Sequence, residues 1–152
     1  SNDEEFINYL IKNENIIENF KVIIKSKTIN YNSPNLIIYN NRISESEYYN
    51  LMSICSFVLL PYDDDYNYRV SGVFYEAIQL NKLVLLNSNN SLKDYSERYP
   101  HAVLKFNGYT DFINTIKNLK DVKENYEEVE QIKEEYSDKI IKNQLKSIFQ
   151  LE

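Results

Sequence analysis

Glycine, proline, cysteine, histidine and tryptophan are all scarce in this 152-residue chain: 2 Gly, 3 Pro, 1 Cys, 1 His and no Trp. With two glycines there is no G-x-G-x-x-G and no G-x-x-x-x-G-K-[ST], which excludes the common dinucleotide and P-loop phosphate sites. Cys55 cannot form an internal disulfide, and its apolar neighbours make it a small core hydrophobe. His101 stands beside Pro100 with no partner at ligand spacing, the pattern of a surface histidine rather than a zinc ligand. No apolar run reaches the roughly 20 residues that span a bilayer, and the start carries no signal-peptide pattern. A cytoplasmic protein is the expectation. Basic charge is short as well: 17 Lys and Arg face 23 Asp and Glu, for a net charge of -6. No basic field is present to neutralise a nucleic-acid backbone, although a compact anionic ligand needs only a locally positive pocket.

What is there reads as a single α/β domain over residues 1–152. Hydrophobic residues make up 43% of the chain, enough for a real core at this length. Phe6, Ile7, Leu10, Ile11 and Ile17 fall at helical spacing over 4–18, with Asp3 as N-cap. Strands follow at 20–25 and 36–39, separated by a loop over 26–34. Ser44 and Glu47 form a capping box that opens a helix through Ile54. The apolar run Ser56-Phe57-Val58-Leu59-Leu60 reads as a strand buried on both faces of a parallel sheet. A helix over 71–80, a strand over 83–86, a short helix capped by Ser91, a strand over 102–106 and a helix over 109–120 complete the alternation. Strands alternating with helices predict a Rossmann-like parallel sheet flanked by helices. The tail, about 122–150, carries an apolar stripe whose spacing drifts near Ser137-Asp138, which predicts two helices packed along the domain edge.

Ligands of such sheets bind beyond the carboxyl ends of the strands. The segment Tyr66-Asn67-Tyr68-Arg69-Val70-Ser71-Gly72-Val73-Phe74-Tyr75-Glu76-Ala77 lies at such an end, a loop that enters a helix. Unpaired N–H groups at a helix start attract phosphate, and a glutamate one turn in can accept hydrogen bonds from a ribose. That combination predicts a site for a nucleoside diphosphate. The acidic trio Asp63, Asp64 and Asp65 before it has two readings. One is a solvated loop, and the other a Mg²⁺ site of receiver or phosphatase type; the loop is preferred because consecutive acids point in different directions. The 14 tyrosines are mostly packing residues.

The succession Asn35–Tyr39, Ser46–Met52, Ser56–Tyr62, Ser71–Ala77 and Asn81–Val84 resembles the C-terminal half of GT-B glycosyltransferases, of the glycosyltransferase group 1 type. The likeness covers roughly residues 20–120. It implies one GT-B half with a helical tail, the half that binds a nucleotide-sugar donor, and it places the acceptor-binding N-terminal domain outside this chain. It further implies that Ser71, Gly72 and Val73 offer backbone amides to the diphosphate and that Arg69 adds charge. Glu76 would hold the ribose hydroxyls, Arg42 and Ile43 would bracket the base, and Tyr62 would line the pocket entrance. No catalytic side chain, metal or cofactor beyond the donor is implied. Two departures stand out: Tyr68 occupies the position of the first acid of the family's E-x(7)-E pair, and the strand that opens the family's domain ahead of its first helix is missing or lies outside this chain.

The expected function is therefore donor binding within an enzyme that moves a sugar from a nucleoside diphosphate to an acceptor, in cell-surface polysaccharide assembly. The chain alone is expected to be inactive, and the full enzyme to work at the inner face of the membrane, peripherally associated. The alternative is a non-catalytic GT-B-like scaffold or interaction module.

Overall fold

A computed structural model describes residues 2–61, 71–87, 92–119 and 126–149. Helix α1 (Asn2–Lys12) is followed by a 3-10 turn (Glu14–Ile17), and then by strands β1 (Val22–Lys25), β2 (Tyr31–Asn32) and β3 (Leu36–Tyr39). Next come α2 (Glu45–Ile54), β4 (Phe57–Leu60), α3 (Gly72–Gln79), β5 (Leu83–Asn87), α4 (Lys93–Arg98), β6 (Val103–Phe106) and α5 (Gly108–Asn118). The tail forms α6 (Tyr126–Glu135) and α7 (Asp138–Phe149), with the break at the expected place.

The strands form two sheets, ordered β1-β3-β2 and β4-β5-β6. In the second sheet all pairs are parallel, with Phe57 opposite Leu83 and Val84 opposite Val103. In the first, β1 and β3 are parallel, with Val22 opposite Leu36, while β2 runs antiparallel to β3. Two hydrophobic clusters sandwich these strands. On one face Phe6, Ile7 and Leu10 of α1 meet Phe112 and Ile116 of α5 over Leu36, Ile38, Leu85 and Phe106. On the other, Phe74, Ala77 and Ile78 of α3 and Val129 and Ile132 of α6 cover Val58, Leu60, Val84 and Leu86. The alternation of Val84, Leu85 and Leu86 between the clusters follows from the two-residue period of a strand. Full burial of a side chain such as Phe74 stabilises the fold by roughly 1.5–3 kcal/mol.

Several boundaries differ from the sequence expectation, for local reasons. Helix α1 begins at Asn2, so Asp3 lies inside the helix and is not its N-cap. The helix ends at Lys12 rather than 18. There Asn13 donates its side-chain amide to Tyr9 O at 2.8 Å, a local bond that competes with the helical ladder. The N-cap position of α4 is Leu92, with no side-chain bond, and Ser91, the expected cap, lies outside the described residues. The loop over 26–34 contains the two-residue strand β2, whose Tyr31 phenol donates to Glu14. Glu14 is also bonded by the Ser33 hydroxyl at 2.6 Å, and these two bonds, Ser33 first, pull its carboxyl below the usual carboxylate range. Strand β4 is not buried on both faces: Phe57 and Leu59 remain half-buried between buried Val58 and Leu60. The reason is its place at a sheet edge; central β5 is buried over its first four residues.

Glycine scarcity is met by substitution at one turn and by glycine at another. Asn81, just after α3, adopts φ +57, the left-handed conformation that asparagine tolerates better than most residues. Gly108, with φ +72, turns the chain from β6 into α5.

Candidate functional site

The carboxyl ends of β3 and β4 feed the starts of α2 and α3, and these two helix starts make up the candidate site. The α2 start has the expected capping box. Glu47 N donates to Ser44 Oγ at 3.3 Å, and Ser44 N donates to Glu47 Oε2 at 2.8 Å. The Ser44 amide, then its hydroxyl, pull the Glu47 carboxyl below the usual carboxylate range. An acid is thus built into this helix entrance. Arg42 is exposed and Ile43 half-buried in the short segment just before it.

At the α3 start Ser71 is the N-cap. It is 2% exposed, and its hydroxyl accepts from Phe74 N at 3.1 Å. One of the four donors of the helix start is therefore satisfied by the chain itself. Gly72 and Val73 take the first two helical positions, whose amides have no intrahelical acceptor by geometry. Gly72 is exposed and Val73 half-buried. Among the described residues a Cβ built on Gly72 meets nothing within 4 Å, and its φ lies outside the left-handed region, so neither their packing nor the backbone conformation calls for glycine there.

Glu76 is half-buried on the second turn of α3. The Tyr48 hydroxyl, from the first turn of α2, donates to Glu76 Oε2 at 2.6 Å. This bond joins the two helix starts and fixes the carboxylate between them. Tyr48 was not among the residues singled out from the sequence; its partner lies 28 positions away, and no local pattern marks such a pair. Tyr62, Tyr68, Arg69 and the trio Asp63, Asp64 and Asp65 lie outside the described residues.

The remaining candidates resolve into structural roles. Cys55 is half-buried, its thiol donates to Met52 O at 3.2 Å, and burial pushes its pKa up, so it is not a poised thiolate. His101 is exposed; its backbone N–H, like that of Ala102, donates to Glu128 Oε2, at 2.8 and 2.9 Å. Among the described residues no group of three His, Cys, Asp or Glu could hold a metal ion. Two surface clefts of about 520 Å³ lie away from the α3 start. One is lined by Glu4, Glu5, Asn8, Tyr9, Lys12 and Tyr109. The other lies between α4 and the tail and includes Tyr95, Arg98, Glu135 and Tyr136. In the second cleft the Arg98 guanidinium lies 4.9 Å from the Tyr95 ring centre and 5.1 Å from that of Tyr99, and it bonds Glu135. Among the described residues no helix is long and apolar enough to cross a membrane.

No family model, curated protein or solved structure matches this chain.

Proposed function

We propose that this chain is the donor-binding half of a GT-B glycosyltransferase that takes a sugar from a nucleoside diphosphate. One observation carries the reading: Glu76 is held by Tyr48 beside the first turn of α3, at the ligand-binding end of a parallel sheet. In this reading the Gly72 and Val73 amides donate to the pyrophosphate, and Arg69 adds its guanidinium. Glu76 accepts from the ribose hydroxyls, while Arg42 and Ile43 bracket the base and Tyr62 borders the entrance. As the bond from the sugar to the diphosphate breaks, negative charge grows on the leaving group, and helix-terminal amides offset it. The reading also gives Gly72 a purpose that its packing among the described residues does not, since a glycine lets a ligand approach the backbone closely.

The test is a titration of UDP, GDP and ADP followed by amide NMR signals of residues 71–76. One nucleotide is expected to bind weakly, roughly in the millimolar range or about 4 kcal/mol. Gly72→Ala should weaken that binding with the fold unchanged, because the added methyl meets no described residue within 4 Å. Glu76→Ala should weaken it too. If none of the three perturbs these signals at millimolar concentration, the reading is lost. The chain alone is expected to transfer no sugar, because the acceptor-binding wall of the cleft is not part of it.

A second reading, a non-catalytic scaffold, is favoured by one feature: the Ser71 hydroxyl and the Glu76 carboxylate are already bonded within the chain. It predicts no response to nucleotide in the same titration, and loss of stability alone in the Glu76 variant.

A further inference from the structure

The carboxyl end of the first sheet carries a cation and an aromatic ring side by side. Lys25 closes β1 and pairs with Tyr39, the last residue of β3. Val22 and Ile24 of β1 and Leu36 and Ile38 of β3 pack into the cluster built on α1 and α5. Side chains alternate along a strand, so Lys25 and Tyr39 stand together on the other face. Both are exposed, at the end of a parallel pair where ligands of such sheets bind.

A surface lysine ordinarily extends its charge into water, but this one is tied down. Its ammonium donates to Ser26 O and to Asn40 O, the latter at 3.3 Å. The Ser26 carbonyl is itself fixed, because Ser26 is buried and its hydroxyl accepts from the amides of Thr28 and Ile29, at 3.3 and 3.1 Å. Asn40 opens the segment that leads through Arg42 and Ile43 to the Ser44 cap of α2. The ammonium is thus anchored beside the residues that the proposed function assigns to the base. It has three N–H donors and no acceptor, so one N–H remains after these two bonds. Arg42, exposed two positions beyond Asn40, likewise only donates. The acids nearest to Arg42 in sequence are Glu45 and Glu47, and the Glu47 carboxylate accepts from the Ser44 amide and hydroxyl.

We propose that Lys25 and Tyr39 select a keto base, uracil or guanine, over the amino bases adenine and cytosine. The Tyr39 ring offers a face on which a base stacks, and the Lys25 ammonium meets the edge of that base. Guanine presents O6 and N7 and uracil presents O4, all acceptors, whereas adenine and cytosine carry an amino group, a donor, where the keto oxygen would be. An ammonium held by two carbonyls does not turn away from such a group, and it has no lone pair to offer in exchange. An amino base therefore sets N–H against N–H. The inference rests on the nucleotide reading above and sharpens it: the donor is a uridine or guanosine diphosphate sugar.

Two matched pairs of nucleotides test it, in the amide NMR titration of the whole 152-residue protein. IDP carries a keto oxygen where ADP carries an amino group, and UDP stands in the same relation to CDP. In the pair that binds more tightly, the keto member should bind at least about tenfold better. Lys25→Met should cut that preference to less than about threefold by weakening the keto member, and Lys25→Arg, which keeps a donor, should retain it. Tyr39→Leu should weaken both members alike, by about fivefold or more, because stacking is indifferent to the base edge. GDP beside UDP then tells guanine from uracil. If no nucleotide perturbs the signals at millimolar concentration, the nucleotide reading and this inference fall together. Binding without a keto preference, or a preference that survives Lys25→Met, overturns the inference and leaves the reading standing. So does an equal loss for all nucleotides in Lys25→Met, the mark of a phosphate ligand, and so does unchanged affinity in Tyr39→Leu.

Discussion

At the scale of single residues, hydroxyls at helix starts do much of the organising. Ser71 is buried and bonds the Phe74 amide, so Ser71→Ala should cost about 1 kcal/mol in urea denaturation. Ser71→Gly should cost only a few tenths of that unit, because glycine is a favoured N-cap residue where alanine is not. Equal losses for the two would mean that the hydroxyl has another, larger duty. The Ser44 cap was legible from its neighbours because Glu47 lies three positions on and both bonds are local. Tyr48 was not, since nothing within a helical turn of it hints at Glu76. What the sequence hides here is a contact made only after two helices have docked.

Among elements, the tail helices divide the work unequally. Helix α6 buries Val129 and Ile132 in the core under α3, whereas Ile140, Ile141 and Leu145 of α7 stay exposed. Ile132→Ala should therefore cost about 2–5 kcal/mol, while a chain ending at Ser137 should keep nearly all of its stability, both read by chemical denaturation. A second element-level bond ties α6 to the end of α4. Burial pushes the Glu135 carboxyl up, but bonds from Tyr99 at 2.5 Å and from Arg98 outweigh it, and the net shift is downward. A carboxyl whose folded value lies below its unfolded one contributes stability above the unfolded value, about 4.3, and loses it as pH falls through the folded one. Stability should thus decline as pH drops below about 5, and Glu135→Gln should flatten that decline when denaturation is repeated across the pH range. The periodicity of the tail foretold two helices and their break, because an apolar stripe records helical phase. It did not foretell which helix would be buried, since that depends on the surface opposite.

For the whole molecule, the order of strands and helices was legible almost throughout. Runs such as Leu36–Tyr39 and Leu83–Asn87 carry their type in composition and in their bounds. The division into two sheets was not legible, because pairing partners are chosen across the chain and not along it. Strand β2 escaped for a related reason: two residues have no period, and Tyr31 and Asn32 become a strand only because β3 offers them an edge. The same dependence shows in β4, whose apolar run promised burial on both faces while its place at an edge leaves Phe57 and Leu59 half-buried.

The phenol of Tyr48 has a consequence for anything that binds between the helix starts. One carboxylate oxygen accepts from the phenol while the other, and further lone pairs, stay able to accept, so a visiting hydroxyl meets an acceptor already aimed. Tyr48→Phe would leave that acceptor free to swing, and a guest would have to spend binding energy on stilling it.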